Sequence, residues 1–334
     1  MTRRQWLLGA AAVATPAFGV PRTTMGIATT SFMSVREHDT YEFLEYCHAL
    51  GAGGIQAALS SLEPAYLKKL RARAESYGMY LEVMAELPKE NDTEKFERTV
   101  AAAKSAGAMC IRTAALGGRR YETFSQMGEW REFVTRSLAA IDRAVPIVTK
   151  EHVPLAIENH KDWTAQELAS LVKDRSSDYL GVCLDTGNNM ALLDNPMDAI
   201  ETLAPYAIST HFKDMAVEPD PDGFLLSEVP LGEGVVDLQR AVATVQRARP
   251  KTRFTLEMIT RNPLKVPCLT DKYWATFQDR NGRYLADTLR MVREAAGRLQ
   301  HLPHVDGESR AGLLQLEEEN VKQCLYYART RLGM

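Results

Sequence analysis

The chain has 334 residues, of which 45% are hydrophobic and 25% charged, values that are typical of a globular protein with a full core. This composition excludes a disordered, collagen-like or coiled-coil chain. Lysine and arginine number 40 and aspartate and glutamate 43, so the formal net charge of −3 offers no global attraction for nucleic acid. The five cysteines are scattered without a CxxC motif, which predicts buried free thiols instead of disulfides or a thiolate zinc site.

The first element in chain order is a predicted cleavable export signal at residues 1–19. Arg3 and Arg4 precede a short apolar run from Trp6 to Ala14, which is followed by small residues. The run is shorter than the roughly 20 apolar residues of a membrane span, and an arginine pair before it is typical of a twin-arginine signal. We therefore expect a periplasmic protein without membrane attachment after cleavage. The alternative is an N-terminal helix that is retained.

The rest of the chain repeats one pattern eight times, a short apolar or alternating run followed by a stretch of helical periodicity. Strict alternation of this kind predicts a parallel sheet, and eight repeats fit the roughly 250 residues of a (β/α)8 barrel. The predicted strands are 24–31, 53–59, 80–86, 109–115, 154–160, 180–186, 207–213 and 253–259. The predicted helices lie near 40–50, 64–77, 92–106, 125–151, 164–174, 196–204, 237–248 and 280–299.

The pattern predicts one TIM barrel at residues 24–299 and a C-terminal helical tail at 300–334. A doubly wound open sheet is the structural alternative, but the connection after the first strand contains no glycine-rich phosphate turn. Within the tail, residues 309–332 are expected to form an amphipathic helix that caps the barrel. A helix that forms a dimer contact is the alternative, so a homo-oligomer stays open.

Four consecutive predicted strands end in side chains that can bind a metal ion. The strands from the fifth to the eighth supply Glu158, Asp185, His211 and Glu257. In a parallel barrel these ends surround the active site, and period-2 alternation places all four side chains on the inward face. Three converging carboxylates repel one another unless a cation neutralises them. Because the set is rich in oxygen and has no thiolate, it predicts one divalent metal ion, Mn²⁺ first, with Mg²⁺ or Co²⁺ as alternatives.

Four further residues are predicted to contact the substrate. His160 and Lys213 share the inward parity of the neighbouring predicted ligands, and the alternatives are a structural hydrogen bond and a surface ion pair. Glu86 ends the third predicted strand and Arg112 lies in the fourth, where an ion pair between these two is the alternative. The connection 214–234 is longer than an ordinary strand-to-helix loop, which predicts a lid.

The four strand-end residues, with the segments IENH, LDTGN, HFKD and PLGEG (230–234), resemble the xylose-isomerase-like TIM-barrel superfamily over residues 24–298. Within it the chain is similar to the ketose 3-epimerases related to tagatose epimerase. The resemblance implies that the four residues bind the metal and that Glu158 and Glu257 also move the proton. The family carries a substrate-binding histidine where this chain has Asn188, so we expect Asn188 to contact the substrate and to alter its selection.

The expected reaction is proton transfer next to a ketose carbonyl through an enediolate, which makes the chain a sugar isomerase or epimerase. The main alternative is a metal-dependent lyase that acts on 3-keto-glycosides by β-elimination. A non-catalytic sugar-binding barrel is a further alternative. A nuclease resembling endonuclease IV is disfavoured because the second, third and fourth strands supply no histidine. The expected partner is therefore a small sugar or keto-glycoside, and a neutral sugar is favoured because no phosphate cradle is visible.

Overall fold

The computed structural model describes residues 20–35, 39–90, 92–296 and 302–334. The predicted export signal lies outside the described residues and stays a prediction. Eight parallel strands form a closed barrel in the order β1-β10-β7-β6-β5-β4-β3-β2, which confirms the predicted (β/α)8 barrel and excludes the open sheet. The barrel strands are β1 (Gly26–Ala28), β2 (Gly54–Ala57), β3 (Tyr80–Met84), β4 (Ile111–Thr113), β5 (Leu155–Glu158), β6 (Leu180–Asp185), β7 (Ala207–Phe212) and β10 (Thr255–Leu256).

Helices connect the barrel strands, and their apolar faces bury the outward side chains of the sheet. The helices in chain order are α1 (Thr40–Ala49), α2 (Pro64–Tyr77), α3 (Thr93–Ser105), α4 (Arg120–Thr123), α5 (Met127–Glu151), α6 (Ala165–Arg175), α7 (Pro196–Leu203), α8 (Leu238–Ala248), α9 (Asp271–Trp274), α10 (Gly282–Ala295) and α11 (Arg310–Arg331). Among the described residues, no helix combines the length and the apolar character needed to cross a bilayer.

Local sequence signals fix the ends of these helices. Helix α2 begins at Pro64 and ends before Gly78, whose φ of 64° places it in the left-handed region that glycine adopts without steric cost. At the start of α6, Thr164 Oγ1 accepts from the Glu167 amide at 3.2 Å, and Glu167 Oε2 accepts from the Thr164 amide at 2.8 Å. This capping box satisfies two amides that a helix N-terminus leaves free. It anchors the chain directly after the β5 loop, which carries several residues of the site.

The inside of the barrel is filled by small and polar side chains, as the alternation in the sequence predicts. At the N-terminal ends of the strands, the Tyr80 side chain lies against Gly26 and Gly54, where an added Cβ atom would come within 2.3 Å of its hydroxyl and 2.4 Å of its ring. The Tyr80 hydroxyl accepts from the Gly26 amide and donates to the Phe254 carbonyl, both at 2.9 Å. One large ring therefore closes this end. All five cysteines are buried and free, which confirms their prediction.

The predicted loop 214–234 contains regular structure that the sequence analysis missed. It forms a hairpin of β8 (Asp214–Asp220) and β9 (Gly223–Val229), and β11 (Leu264–Val266) pairs with β9 to complete a three-stranded antiparallel sheet. The two strands of this hairpin lack the period-2 alternation that marks a half-buried strand, so the sequence pattern does not reveal them. The hairpin follows β7 directly and carries one buried acidic residue toward the site.

The C-terminal helix α11 packs on segments that follow two barrel strands. The buried Glu317 carboxylate accepts from the Ser34 amide at 2.9 Å and contacts the Ser34 hydroxyl, just beyond β1. Asn320 donates to the Thr260 hydroxyl at 2.9 Å, just beyond β10. Because the C-terminal ends of β1 and β10 neighbour each other in the barrel, α11 supports the edge of the site.

Candidate metal centre

The structure brings the four predicted metal ligands together. They lie at the carboxyl ends of four barrel strands, in the order Glu158 on β5, Asp185 on β6, His211 on β7 and Glu257 directly after β10. Each side chain offers one ligand atom, and these atoms all lie within 4.8 Å of one another. All four residues are buried. Three of the four ligands thus lie within regular strands, and the fourth follows a strand directly.

The Nδ1 atom of His211 lies at the centre of the three carboxylates. It is 3.2 Å from Glu158 Oε1, 3.3 Å from Glu257 Oε1 and 3.9 Å from Asp185 Oδ2. Among the described residues, this buried nitrogen has no hydrogen-bond partner. A buried polar atom is normally satisfied, so an unpartnered imidazole nitrogen that faces carboxylate oxygens fits a divalent cation.

Two buried polar residues beneath the centre orient His211. Its Nε2 atom lies 2.6 Å from Gln56 Oε1, and Gln56 Nε2 donates to Glu82 Oε2 at 2.9 Å. Because the amide oxygen accepts, Nε2 carries the proton and Nδ1 keeps its lone pair for a metal. Burial raises the pKa of Glu82, and hydrogen bonds from Gln56 and Ser209 offset this only in part. The sequence analysis missed Gln56 and Glu82, although both have inward parity.

Lys213 lies inside the centre, so the surface ion pair considered as its alternative is wrong. Its ammonium is 2.8 Å from Asp185 Oδ2 and contacts Glu257 Oε2. Burial alone would lower the pKa of Lys213, but Asp185 and Glu257 raise it above its usual range. Burial alone would likewise raise the pKa of Glu257, but the neighbouring cations Lys213 and Arg112 hold it well below its usual range. The Thr30 hydroxyl also donates to Glu257 Oε1 at 2.9 Å.

Asn188 and Arg112 hold the other glutamate. The side-chain Nδ2 of Asn188 donates to Glu158 Oε1 at 2.9 Å, and the backbone N–H of Asn188 donates to Asp185 Oδ1 at 2.7 Å. The half-buried Arg112 guanidinium contacts Glu158 Oε2. Arg112 therefore pairs with Glu158, and the alternative pairing with Glu86 is wrong. Each glutamate directs one oxygen toward His211 and has the other oxygen next to a cation.

Glu86 does not join the other predicted site residues. Strand β3 ends at Met84, two residues earlier than required, and Glu86 is exposed in the connection that follows. It lines a surface cavity with Pro88 and Lys95. The inward acidic residue of β3 is Glu82, because the strand ends before the chain can point a second carboxylate into the barrel.

His160, two residues after the end of β5, is held in a fixed tautomer. Its Nδ1 atom is 2.8 Å from the Leu116 carbonyl, which can only accept, so Nδ1 carries the proton and Nε2 is left as an acceptor. Burial, together with Lys161 and Arg112, lowers the pKa of His160 to about 3. The ring is therefore neutral, and Nε2 can accept a hydrogen bond from a substrate hydroxyl.

Two more buried charges at the centre were missed by the sequence analysis. The Lys161 ammonium contacts Asn188 Oδ1. Glu228 comes from β9 in the hairpin, with Oε1 4.0 Å from Lys213 Nζ and 2.6 Å from an Arg261 nitrogen. Glu228 was not predicted because its position depends on the hairpin, which the sequence pattern does not reveal. Lys161 was not predicted because it belongs to no recognised motif.

Comparison with known sequences identifies the family. The sequence profile described as xylose isomerase-like TIM barrel matches residues 44–295. The chain belongs to this family. Among curated proteins of similar sequence, the 3-oxo-isoapionate decarboxylase of Pectobacterium atrosepticum is 29% identical over 216 residues, which cover 63% of this chain and 73% of that protein.

Solved structures of low sequence identity share the fold. A crystal structure of D-psicose 3-epimerase in the presence of D-fructose gives a TM-score of 0.60 at 19% identity, covering 93% of this chain and 100% of that chain. A xylose isomerase-like TIM barrel protein from Mycobacterium smegmatis, in complex with magnesium, gives a TM-score of 0.55 at 16% identity, covering 79% and 97% of the two chains.

Proposed function

We propose that the chain is a metal-dependent isomerase or epimerase that moves a proton next to the carbonyl of a carbohydrate ketone through an enediolate. The observation that carries this proposal is the placement of two glutamates around one point. Glu158 Oε1 and Glu257 Oε1 lie 3.2 and 3.3 Å from the same nitrogen of His211. They come from opposite sides, because β7 lies between β6 and β10 and Glu158 is on β5, beyond β6. Two bases so placed can act on opposite faces of one carbon.

The quartet would hold the metal ion, and three carboxylates with one imidazole suit Mn²⁺, with Mg²⁺ or Co²⁺ as alternatives. When bound there, a divalent ion polarises the ketone and stabilises the negative charge of the enediolate. The fold shared with D-psicose 3-epimerase and the magnesium complex of the Mycobacterium smegmatis protein support this proposal.

The surrounding residues of the chain prepare both glutamates for proton transfer. Lys213 favours the ionised form of Glu257, and the Arg112 guanidinium next to Glu158 has the same effect there. In each turnover one glutamate is ionised and removes the proton from the substrate carbon, while the other carries a proton and donates it to the opposite face, which inverts the carbon and exchanges the protonation states of the two glutamates. His160 Nε2 accepts a hydrogen bond from a substrate hydroxyl and so orients the substrate.

The experiment is deuterium incorporation, followed by NMR, with the Mn²⁺-loaded protein in D2O and a panel of free ketoses. We expect exchange at the carbon next to the carbonyl, together with an epimer or an aldose. Glu158→Gln and Glu257→Gln should each lower turnover by about 10²- to 10⁴-fold, because each removes one acid–base group. Glu97→Gln, the same change at an exposed position on α3, should keep full activity. Undiminished turnover in either site variant would remove that glutamate from the mechanism.

A second candidate is decarboxylation of a 3-oxo sugar acid, which the 29% identical decarboxylase supports. Here the bond to the carboxylate carbon breaks, its electron pair forms the same enediolate, and a glutamate protonates the carbon that is left. The panel therefore includes 3-oxo acids and 3-keto-glucosides. Release of CO2 without exchange in free ketoses would assign the decarboxylase, and release of an aglycone would assign the β-eliminating lyase.

A further inference from the structure

Lys161 carries a buried positive charge that the protein does not pair. The residue lies three positions after the end of β5 and is 4% exposed. Its ammonium contacts the neutral amide oxygen of Asn188. Across the described residues, no carboxylate lies within ion-pair distance of it. An unpaired buried charge is costly, so its presence calls for a partner that the chain itself does not supply.

The backbone around Lys161 is held in place without the ammonium. Its φ is 60°, a left-handed conformation that is strained for a residue with a side chain. The Lys161 carbonyl accepts from the Arg120 amide at 3.0 Å. The next residue, Asp162, accepts from the amides of Leu116 at 3.1 Å and Trp163 at 2.8 Å. Because these bonds fix the turn, a lysine side chain is not needed for the fold at this position.

Apart from Glu82 beneath the centre, the charges that line it balance before any metal ion is added. The carboxylates that line it are Glu158, Asp185, Glu228 and Glu257. The cations are Arg112, Lys161, Lys213 and Arg261. With a divalent ion in the quartet, these lining groups and the ion together carry two more positive than negative charges. Such an excess is strongly felt where water is excluded, and it favours a negatively charged ligand.

We propose that the substrate of this site carries an anionic substituent, a carboxylate or a phosphate, and that Lys161 binds it. The proposal rests on the proposed function in that the substrate occupies the mouth of the quartet. The Asn188 side chain shows that the Lys161 ammonium lies close to the metal centre. Its Oδ1 contacts the ammonium groups of Lys161 and Lys213, and its Nδ2 donates to Glu158. The anionic group of the substrate would thus lie next to Asn188 Oδ1, and the reacting carbon would lie near the Nδ2 end of the same side chain. This differs from the neutral sugar expected from the sequence.

The test measures binding by calorimetry on the Mn²⁺-loaded protein, with gluconate, sorbitol 6-phosphate and neutral sorbitol as probes. We expect one of the two anions to bind at least tenfold more tightly than sorbitol, and the tighter one identifies the anionic group. Lys161→Met should lower that affinity at least tenfold and leave sorbitol binding unchanged, whereas Lys161→Arg should keep most of it. Lys173→Met, at an exposed position on α6, is the matched control and should bind like the unmodified protein.

A urea unfolding curve separates binding from a structural role. Lys161→Met removes an unpaired buried charge, so its free energy of unfolding should equal or exceed that of the unmodified protein. A clear decrease would assign Lys161 to the fold and overturn the proposal. So would the absence of any anion preference, or an equal loss of sorbitol binding in Lys161→Met. Failure of the proposed function is distinguishable, because it would abolish deuterium exchange and leave anion binding intact.

Discussion

A single amide, that of Gln56, decides which nitrogen of His211 faces the three carboxylates. Its oxygen is 2.6 Å from His211 Nε2, so Gln56→Met removes the acceptor at nearly constant side-chain volume. The ring can then rotate or adopt the other tautomer. We expect the affinity for Mn²⁺ to fall by about 10- to 100-fold, as is usual when the hydrogen-bond partner of a ligand histidine is lost. Competition against a fluorescent chelator measures this change.

The matched control is Gln246→Met on the exposed face of α8, which makes the same chemical change away from the barrel interior. It should bind Mn²⁺ as the unmodified protein does. If Gln56→Met also kept full affinity, His211 would be oriented by packing alone, and the hydrogen bond to Gln56 would have no role in the metal centre.

The four metal ligands that the sequence predicted share one property, a place at or next to the carboxyl end of a strand. Glu158 and Asp185 end their strands, so parity and strand order were enough to bring them together. Gln56 and Glu82 lie within strands and meet because they are register partners across β2 and β3. That pairing depends on how two strands align. Lys161 depends on a left-handed turn, which no pattern of apolar residues reveals.

At the scale of elements, the PLGEG segment is held by the carboxylate of Asp214 at the base of the hairpin. Asp214 accepts from the amides of Gly232 at 3.0 Å, Gly234 at 2.9 Å and Val236 at 3.1 Å. The bond from Val236 is buried, the other two are partly buried, and all three share one charged acceptor. We therefore expect Asp214→Ala to lower the free energy of unfolding by at least about 3 kcal/mol, measured by equilibrium unfolding in urea.

Asp237→Ala is the control for this experiment. Asp237 caps the exposed start of α8 by accepting from the Arg240 amide at 3.1 Å, so its loss should cost about 1 kcal/mol. Equal losses in the two variants would mean that Asp214 acts as an ordinary turn residue. The hairpin and its Glu228 would then be positioned by β-sheet pairing alone.

The hydrophobic periodicity of the sequence predicts the bounds of the helices more accurately than it predicts the bounds of the strands. Helix α2 was expected at 64–77 and is found there, because proline and glycine mark its two ends. The first strand was expected at 24–31, but β1 is only Gly26–Ala28 because residues from Thr29 turn into a short 3-10 helix. That turn places Thr30 against Glu257. The backbone departs from strand geometry where residues begin to line the site, so the carboxyl ends of strands are the hardest bounds to predict from hydrophobic periodicity.

At the scale of the whole molecule, a metal ion in the quartet would join strands that are far apart in sequence. The ligands come from β5, β6, β7 and the residue after β10, so the site forms only when the barrel has closed. A ligand that binds the folded state alone stabilises it. At a metal concentration of about 1,000 times Kd this gain is about 4 kcal/mol. We expect Mn²⁺ to raise the Tm of chelator-treated protein by about 5 to 10 °C.

Asp185→Asn tests whether this stabilisation comes from the quartet. The change removes one ligand charge and also the partner of the Lys213 ammonium 2.8 Å away, so the metal-free protein should itself unfold at a lower temperature. The informative quantity is therefore the shift caused by Mn²⁺ in each protein, recorded by differential scanning calorimetry. It should fall by more than half in Asp185→Asn and stay unchanged in Asp174→Asn, an exposed residue on α6. An equal shift in all three proteins would place the ion outside the quartet and remove it from the proposed mechanism.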